Sequence, residues 1–441
     1  MISLADNHDY KGILSDKDYS VLFPFADIEL KSLAKENPDL LVFPDCLGQY
    51  GDNWENESLY HFRGKSLLAG NVVGFFGVND VQVQIRSRFD NSDNQYFLHY
   101  MLCRVFGINM LNWQATTNME SIWDFLPFLF PYFLKRAIKQ GLFRNYRTVS
   151  HNNDHVRGMI DVSRHICRNI PFNGKVAYNT REYTANNYLI SLVRHTIEKI
   201  RRNLRFRCIL NNDNDTCDAV SKIIAVTPDY SPNDLFKVIA HNLRPVRHPF
   251  YTEYTSLQRL CLQILRHEKI TYGNDEDKIN GIVFKAEWLW EEYLNTILRD
   301  ISFRHTSPSN QNTGIYYYEG PQYKGAFPDF YSNKKSIVID AKYKRLEYKL
   351  WGNDLREDRF QLISYVHIQS AKAGILLYPS PEEGYDGLQW EGTLLGYKLT
   401  DNTGGKIGIY GFHIPSSNKD FPTFVRNMNE NERKLKDCNF P

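Results

Sequence analysis

An α/β and α+β multidomain fold is predicted by three features of this sequence. The chain starts β-rich with period-two alternation, continues with helical periodicity, and ends in a stretch where helix, hairpin, helix and strand follow one another. Its 441 residues leave room for two or three separate cores. We place a β-rich N-terminal domain at 1–110, a mainly helical region at 111–275 and an α/β domain at 276–441.

In the first region, "GNVVGFFGVNDVQVQIRSRF" (70–89) holds two β-prone runs around Asn79-Asp80. Val81, Val83 and Ile85 alternate with Gln82, Gln84 and Arg86, the pattern of a half-buried strand in a hairpin. In the second, "FLPFLFPYFL" (125–134) is apolar but about half the ~20 residues a membrane-spanning helix needs, so it is expected to begin a buried helix. "NNYLISLVRHTIEKIRRNL" (186–204) puts Leu189, Leu192, Val193, Ile197 and Ile200 on one helical stripe, with Lys199, Arg201 and Arg202 off it. That basic face suits either DNA phosphates or plain solvent. "NNDNDTCD" (211–218) and "TYGNDEDKING" (271–281) read as polar loops, the second a domain boundary. Beyond it come a helix at 284–301, a hairpin at 327–344, a helix at 358–371 and a strand at 373–379. A further strand, "GKIGIYGFHI" (405–414), lies in a C-terminal extension and could widen the same sheet.

Composition excludes several classes. With 42% hydrophobic and 24% charged residues the chain is neither disordered nor fibrous. A net charge of +2 means that any nucleic-acid surface is a local patch. The seven cysteines show no C-x-x-C spacing, which suits a reduced, cytoplasmic protein better than a disulfide framework or zinc site. "MISLADNHDYKG" has no basic start or apolar run of a signal peptide, again predicting the cytoplasm. No G-x-x-x-x-G-K-[ST] loop occurs, so nucleotide chemistry is assigned to a partner, not to this chain. His151, His155 and His165 sit close in sequence, but "HNNDH" reads as a loop without ligand geometry, and "HNLRPVRH" (241–248) is equally unsupported.

The candidate chemistry lies in "FPDFYSNKKSIVIDAKYK" (327–344). Residues two apart share a strand face, so Asp340, Lys342 and Lys344 line one side and Ile337, Ile339 and Ala341 the other. Asp329 on the preceding strand reaches the level of Asp340 given a bulge or slip in register. Two neighbouring carboxylates repel unless a cation lies between them, and Mg2+, a hard ion that prefers carboxylate oxygen, resolves the conflict, with Mn2+ as an alternative. Lys342 could then orient or deprotonate an activated water, or stabilise charge on a phosphate. The bland alternative is a surface hairpin with an Asp–Lys pair worth a few tenths of a kcal/mol. On the helix at 284–301, Trp290, Tyr293, Leu294, Ile297 and Ile301 form the buried stripe. Glu291 falls at its edge, and Glu292 points to solvent. On the next helix Gln361 and Tyr365 share a face.

These elements together, "PDF…IDAKYK" with "LWEEYL" upstream and "QLISY" downstream, resemble the PD-(D/E)xK nuclease superfamily, in the branch with a Q-x-x-x-Y helix. Residues 70–89 resemble the N-terminal strand motif of the McrC family. "HVRGMIDVSRHICRN" and "YNTREYTANNYLISLV" resemble its central stretches, through Arg157, Gly158, Ile160, Asp161, Glu182, Thr184 and Asn187. The resemblance implies a C-terminal restriction-endonuclease-like domain in a type IV, 5-methylcytosine-dependent restriction system. It implies metal binding by Asp329 and Asp340, with Glu291 completing the shell through water. Lys342 would be the catalytic cation, and Gln361 and Tyr365 an auxiliary pair. The implied partners are a McrB-like AAA+ GTPase hexamer, whose hydrolysis is stimulated, and methylated double-stranded DNA. Where the family leads one to expect Pro-Lys after the N-terminal strand, this chain has Ser87-Arg88, at what would be a partner-facing tip. Two other functions are carried alongside: a non-cleaving activator of a AAA+ ring, and a stand-alone nuclease of a repair or mobile-element system.

Overall fold

The computed structural model describes residues 2–12, 14–37, 40–44, 57–64, 66–79, 81–90, 95–108, 126–204, 206–270, 279–306, 327–345, 355–381, 387–394, 405–416, 418 and 420–438. They gather into two compact units, Met1–Thr117 with Asp275–Pro441, and Asn118–Asn274.

The N-terminal part of the first unit is less purely β than expected. Strands β1 (Ile2–Ala5), β2 (Asp9–Lys11), β3 (Leu40–Phe43), β4 (Tyr60–Arg63), β5 (Ser66–Ala69), β6 (Val72–Val78) and β7 (Val81–Arg86) are joined by helices α1 (Asp16–Leu22), α2 (Leu30–Glu36) and α3 (Tyr96–Phe106). The short α1 exists because Ser15 and Asp18 form a reciprocal capping box around its first turn. The expected hairpin is present: β6 and β7 are antiparallel with Val78 opposite Val81, and Asn79 turns with φ 51°. Asp80 lies outside the described residues. Val81, Val83 and Ile85 are buried as the alternation requires; Gln84 is buried too, since β7 runs inside its sheet between β1 and β6.

The second unit holds α4 (Leu126–Lys139), β8 (Asn145–Asn153), β9 (Met159–Ile160), α5 (Val162–Asn169), β10 (Val176–Thr184), α6 (Tyr188–Arg202), α7 (Asn214–Ala225), α8 (Leu235–His241) and α9 (Glu253–Ile270). The apolar run is the buried start of α4, and the predicted stripe of α6 is fully buried. Among the described residues no helix is long and apolar enough to cross a membrane. Two expectations fail. The "HNN" of the supposed loop lies within β8, which forms an antiparallel sheet with β10 and β9 beside the helices of this unit, and His151 stacks on Tyr178 at 5.1 Å. Likewise the polar stretch at 211–218 mostly begins a helix: the Asp213 carboxylate accepts from the backbone N–H of Thr216 and caps α7.

The chain then returns to the first unit with β11 (Ile279–Lys285), α10 (Ala286–Leu298), β12 (Arg304–His305), β13 (Phe330–Ser332), β14 (Ile337–Ala341), α11 (Arg356–Ile368), β15 (Ala373–Ser380), β16 (Gly387–Thr393), β17 (Lys406–His413) and α12 (Phe421–Lys436). The boundary stretch lies outside the described residues at 271–278, but its last three residues open β11. That strand is inserted between β6 and β3, giving one five-stranded sheet in the order β1-β7-β6-β11-β3. The N- and C-terminal thirds, read as separate domains, therefore share a sheet. Contact is close enough there that Gly281, at φ +148°, has room for no side chain: a Cβ would lie 2.3 Å from the Phe75 carbonyl oxygen. A second sheet of order β12-β13-β14-β15-β17-β16 carries the helix–hairpin–helix–strand series, and β17 does widen it, parallel to β15. Gly374 on β15 lets α11 lie directly on this sheet, since a Cβ would meet Val366 at 2.5 Å.

The C-terminal helix is built into this unit. The buried Glu432 carboxylate of α12 accepts from Tyr100 Oη of α3 at 2.7 Å and Tyr293 Oη of α10 at 3.0 Å, and pairs with Arg104 at 2.6 Å.

Candidate active site

The β13–β14 hairpin sets the site. Phe330 lies opposite Ile339, so one step outward Asp329 faces Asp340 directly and no bulge or slip is needed. Asp329 is further fixed by the backbone N–H of Ala341, which donates to its Oδ2 at 2.6 Å. Asp340 is 2% exposed. Beyond β14 the backbone keeps the strand path, with Lys342 N–H donating to the Leu377 carbonyl of β15. Lys342 Nζ therefore lies on the face of Asp340, 2.8 Å from its Oδ2, and donates to Gln361 Oε1 at 3.0 Å. Gln361 Nε2 donates in turn to Tyr365 Oη at 2.9 Å. Four of the predicted residues thus form one continuous line across the sheet and α11, next to the fifth, Asp329.

Glu291 is brought near but not into this line. It enters through charge, raising Asp329 together with Asp340, while its own carboxylate faces His305 Nε2 at 3.9 Å. Among the described residues no three His, Cys, Asp or Glu side chains are gathered closely enough to hold a metal ion as they stand. Glu292, expected in solvent, is only 22% exposed and lies 3.8 Å from His305 Nδ1. Nearly the whole circumference of α10 is packed, from Trp288 through Leu298, so both glutamates meet β12.

Burial, reinforced by Glu291 and Asp340, lifts the Asp329 carboxyl well above the carboxylate range. Burial also raises Asp340, against the pull of Lys342. For Lys342 burial alone would lower the pKa, but the carboxylates of Asp340, Asp329 and Asp358 outweigh it and raise it. Such a site suits a divalent ion. Asp340 Oδ2 is buried without a well-directed hydrogen bond, despite the nearby ammonium, and both acids are hard oxygen donors pressed together. Two carboxylates plus substrate oxygens are a common Mg2+ environment.

The raised Asp329 has a measurable consequence. In the native state it binds its proton more tightly than in the unfolded chain, so its ionisation destabilises the fold as pH rises above the ordinary carboxylate range. Asp329→Asn is therefore expected to melt at a higher temperature than wild type at pH 7 in chelator. That advantage should shrink steadily as pH falls toward 4; a constant offset across the range would contradict the raised value.

Three features escaped the sequence reading. His305 bridges the two glutamates. Asp358 and Tyr378 form a cluster with Lys344, in which Asp358 accepts from Lys344 Nζ at 3.0 Å and Tyr378 Oη at 3.1 Å. Asp358 was detectable, since 358, 361 and 365 share a helix face; His305 gave no signal. The third feature is a correction. Ser87 and Arg88 are no exposed tip: Ser87 is fully buried with its Oγ 2.6 Å from Tyr343 Oη. Arg88 pairs with buried Asp6 at 2.5 Å and lies over the Tyr343 ring at 5.0 Å. The N-terminal hairpin thereby grips the residue between Lys342 and Lys344.

In the second unit the matched motif residues serve local structure. Asp161 caps α5 and Asn187 caps α6 while donating to the Phe143 carbonyl. Gly158 runs against Asn179, whose carbonyl oxygen would sit 2.2 Å from a Cβ.

No curated protein matches the sequence significantly. Among solved structures, the chain is similar to one in a refined half-complex of a tetradecameric assembly of Thermococcus gammatolerans McrB AAA+ hexamers with bound McrC. The identity is 16% and the TM-score 0.49, over 97% of this chain and 99% of that one. A second similar chain, from the Thermococcus gammatolerans McrBC complex, shows 15% identity and a TM-score of 0.34 over 68% of this chain and 87% of that one. The family model described as "McrBC 5-methylcytosine restriction system component" matches residues 67–379, most of the chain and the whole Asp329–Tyr365 site. The chain belongs to the McrBC 5-methylcytosine restriction system component family.

Proposed function

We propose that this chain is the DNA-cutting subunit of its restriction system: a Mg2+-dependent endonuclease with a PD-(D/E)xK site, acting in the cytoplasm on double-stranded DNA that carries 5-methylcytosine. The observation that carries the reading is the line Asp340–Lys342–Gln361–Tyr365 with Asp329 alongside. Asp329 and Asp340 would hold the ion, and Glu291 would act on it from further out, through water. When bound, a divalent ion supplies Lewis-acid activation of water and of the phosphate.

In the metal-free site the carboxylates of Asp340, Asp329 and Asp358 raise the pKa of Lys342, so its ammonium stands there as a cation. Of its three N–H donors one faces Asp340 and one Gln361, leaving the third for a phosphate oxygen. Charge that builds on that phosphate in the transition state then meets an ammonium already in place. Gln361, itself held by Tyr365, keeps Lys342 from folding wholly onto Asp340.

With a net charge of +2 the chain has little means of holding DNA alone. Family membership supports a McrB-like AAA+ GTPase hexamer as the partner that delivers DNA and whose hydrolysis this chain stimulates. The test is plasmid cleavage by the chain with the GTPase of its own system, GTP and Mg2+. Cutting should require the partner and 5-methylcytosine, stop with EDTA and resume when Mg2+ is restored. Stimulated GTP hydrolysis without cutting, in Mg2+ or Mn2+, would leave an activator of the ring in place of a nuclease.

A further inference from the structure

The Asp358–Lys344–Tyr378 cluster is not used by the reaction just described, yet it adjoins it. Asp358 is on the face of α11 that carries Gln361 and Tyr365, and its charge reaches both Asp340 and Lys342. Its carboxylate is 7% exposed and accepts from Lys344 Nζ at 3.0 and 3.2 Å and from Tyr378 Oη at 3.1 Å. Lys344 differs from its neighbours in exposure: its side chain is 52% exposed, against 17% for Lys342.

Two further observations give this a direction. Tyr343, between the two lysines, is buried and held by Ser87, and Arg345 donates to the Arg88 carbonyl at 2.5 Å. The backbone at 342–345 is thus fixed on both sides of Lys344, with Lys342 and Lys344 turned to Gln361 and Asp358 of α11 and Tyr343 turned to Ser87. The site is also acidic. Asp329, Asp340, Asp358 and Glu291 crowd around two lysines, so an approaching polyanion finds its favourable contacts at the ammonium groups. Lys344 is the exposed one. Asp358 offers two oxygens to an ammonium with three donors, so one donor stays available to an outside acceptor.

Building on the nuclease reading above, we infer that Lys344 is a second phosphate-binding residue, gripping a backbone phosphate next to the one that Lys342 faces. Asp358, steadied by Tyr378, is the positioning residue that holds it there and keeps it off Asp340. A freely mobile surface lysine would lose side-chain entropy on binding; this one has lost much of it already.

The test measures binding and cutting separately. In an Asp340→Ala background, duplex DNA binding by the complex with its GTPase is followed by anisotropy across NaCl concentrations. Adding Lys344→Met should lower the slope of log affinity against log salt by about one, and Lys344→Arg should restore it. With Asp340 intact, Lys344→Met should reduce kcat/KM about tenfold, mainly through KM. Lys344→Met leaves Asp358 without its cation, so the Lys344→Met/Asp358→Asn pair, which keeps the cluster neutral, should show the same loss of slope. An unchanged slope in either, or a Lys344→Arg protein as weak as Lys344→Met, overturns the inference. If Asp340→Ala cuts DNA like wild type, the nuclease reading falls instead, and the slope still decides whether Lys344 binds phosphate.

Discussion

Asp340→Ala is expected to lower DNA cleavage by about a hundred- to a thousandfold or more, the loss typical of removing one preorganised charge-stabilising group from an active site. Stimulation of the partner's GTP hydrolysis should persist in the same tubes. The size follows from position. Asp340 is buried, faces Asp329 across the hairpin and pairs with Lys342 Nζ through its Oδ2 at 2.8 Å. On the proposed reading, alanine removes a metal-binding oxygen and the anchor of Lys342 in one step. Asp340→Asn separates the two effects, since the amide keeps the shape and a weak hold on Lys342 but not the charge. If Asp340→Asn cuts as well as wild type, the carboxylate is not a metal ligand. Persistence of hydrolysis in both variants is the fold control.

Glu432→Ala is expected to destabilise the first unit by about 2–4 kcal/mol, from two buried tyrosine hydroxyls left short of an acceptor and one part-buried ion pair lost. Its carboxylate, 6% exposed, accepts from Tyr293 Oη, shares Tyr100 Oη with Asn429 and pairs with Arg104. Losing it leaves a cation and two hydroxyls short of a partner among α3, α10 and α12. Chemical denaturation would read the effect, with Tyr100→Phe as a milder comparison near 1 kcal/mol, one hydrogen bond. A loss below 1 kcal/mol for Glu432→Ala would mean that the three helices hold together by apolar packing alone. Glu432 lies beyond residues 67–379, yet Tyr293, which it holds, is two positions from Glu291. The C-terminal extension, to which sequence gave no role, thereby helps to seat the helix that carries the third acid.

What could be read in advance was what local pattern decides. The 72–86 hairpin, the buried stripe of α6 and the series from α10 to β15 each announce themselves by period and turn residues. Five of the six named residues lie together in the structure, because two-residue and four-residue spacings fix the face of a strand or helix, although Asp329 meets Asp340 without the bulge or slip expected. Glu291 was found only as a neighbour, and Glu292 was misjudged, because a helical wheel cannot know that β12 covers the rim. The sheet of β8, β9 and β10 was missed because its strands are polar: "NYRTVSHNN" and "VAYNTREYT" have no apolar face to betray them. β11 was lost for a different reason. "INGIVFK" is as β-prone as any segment here, but its partners lie some two hundred residues earlier, and pairing at that distance leaves no mark on local sequence.

That same strand dictates an order of events at the ribosome. β3 and β6 emerge early, but the strand that separates and joins them is translated only after the entire 118–274 unit has been made. Until then two apolar strand edges wait open, the condition under which chains pair wrongly or recruit a neighbour. The intervening unit, contiguous in sequence, is free to fold first. The sheet then closes when Ile279–Lys285 arrives, and the hairpin with Asp329 and Asp340 follows within about sixty residues. A chain halted before residue 279 would therefore hold a finished second unit, an unfinished first sheet and none of the Asp329–Asp340 hairpin: the candidate site cannot be assembled before the frame that supports it.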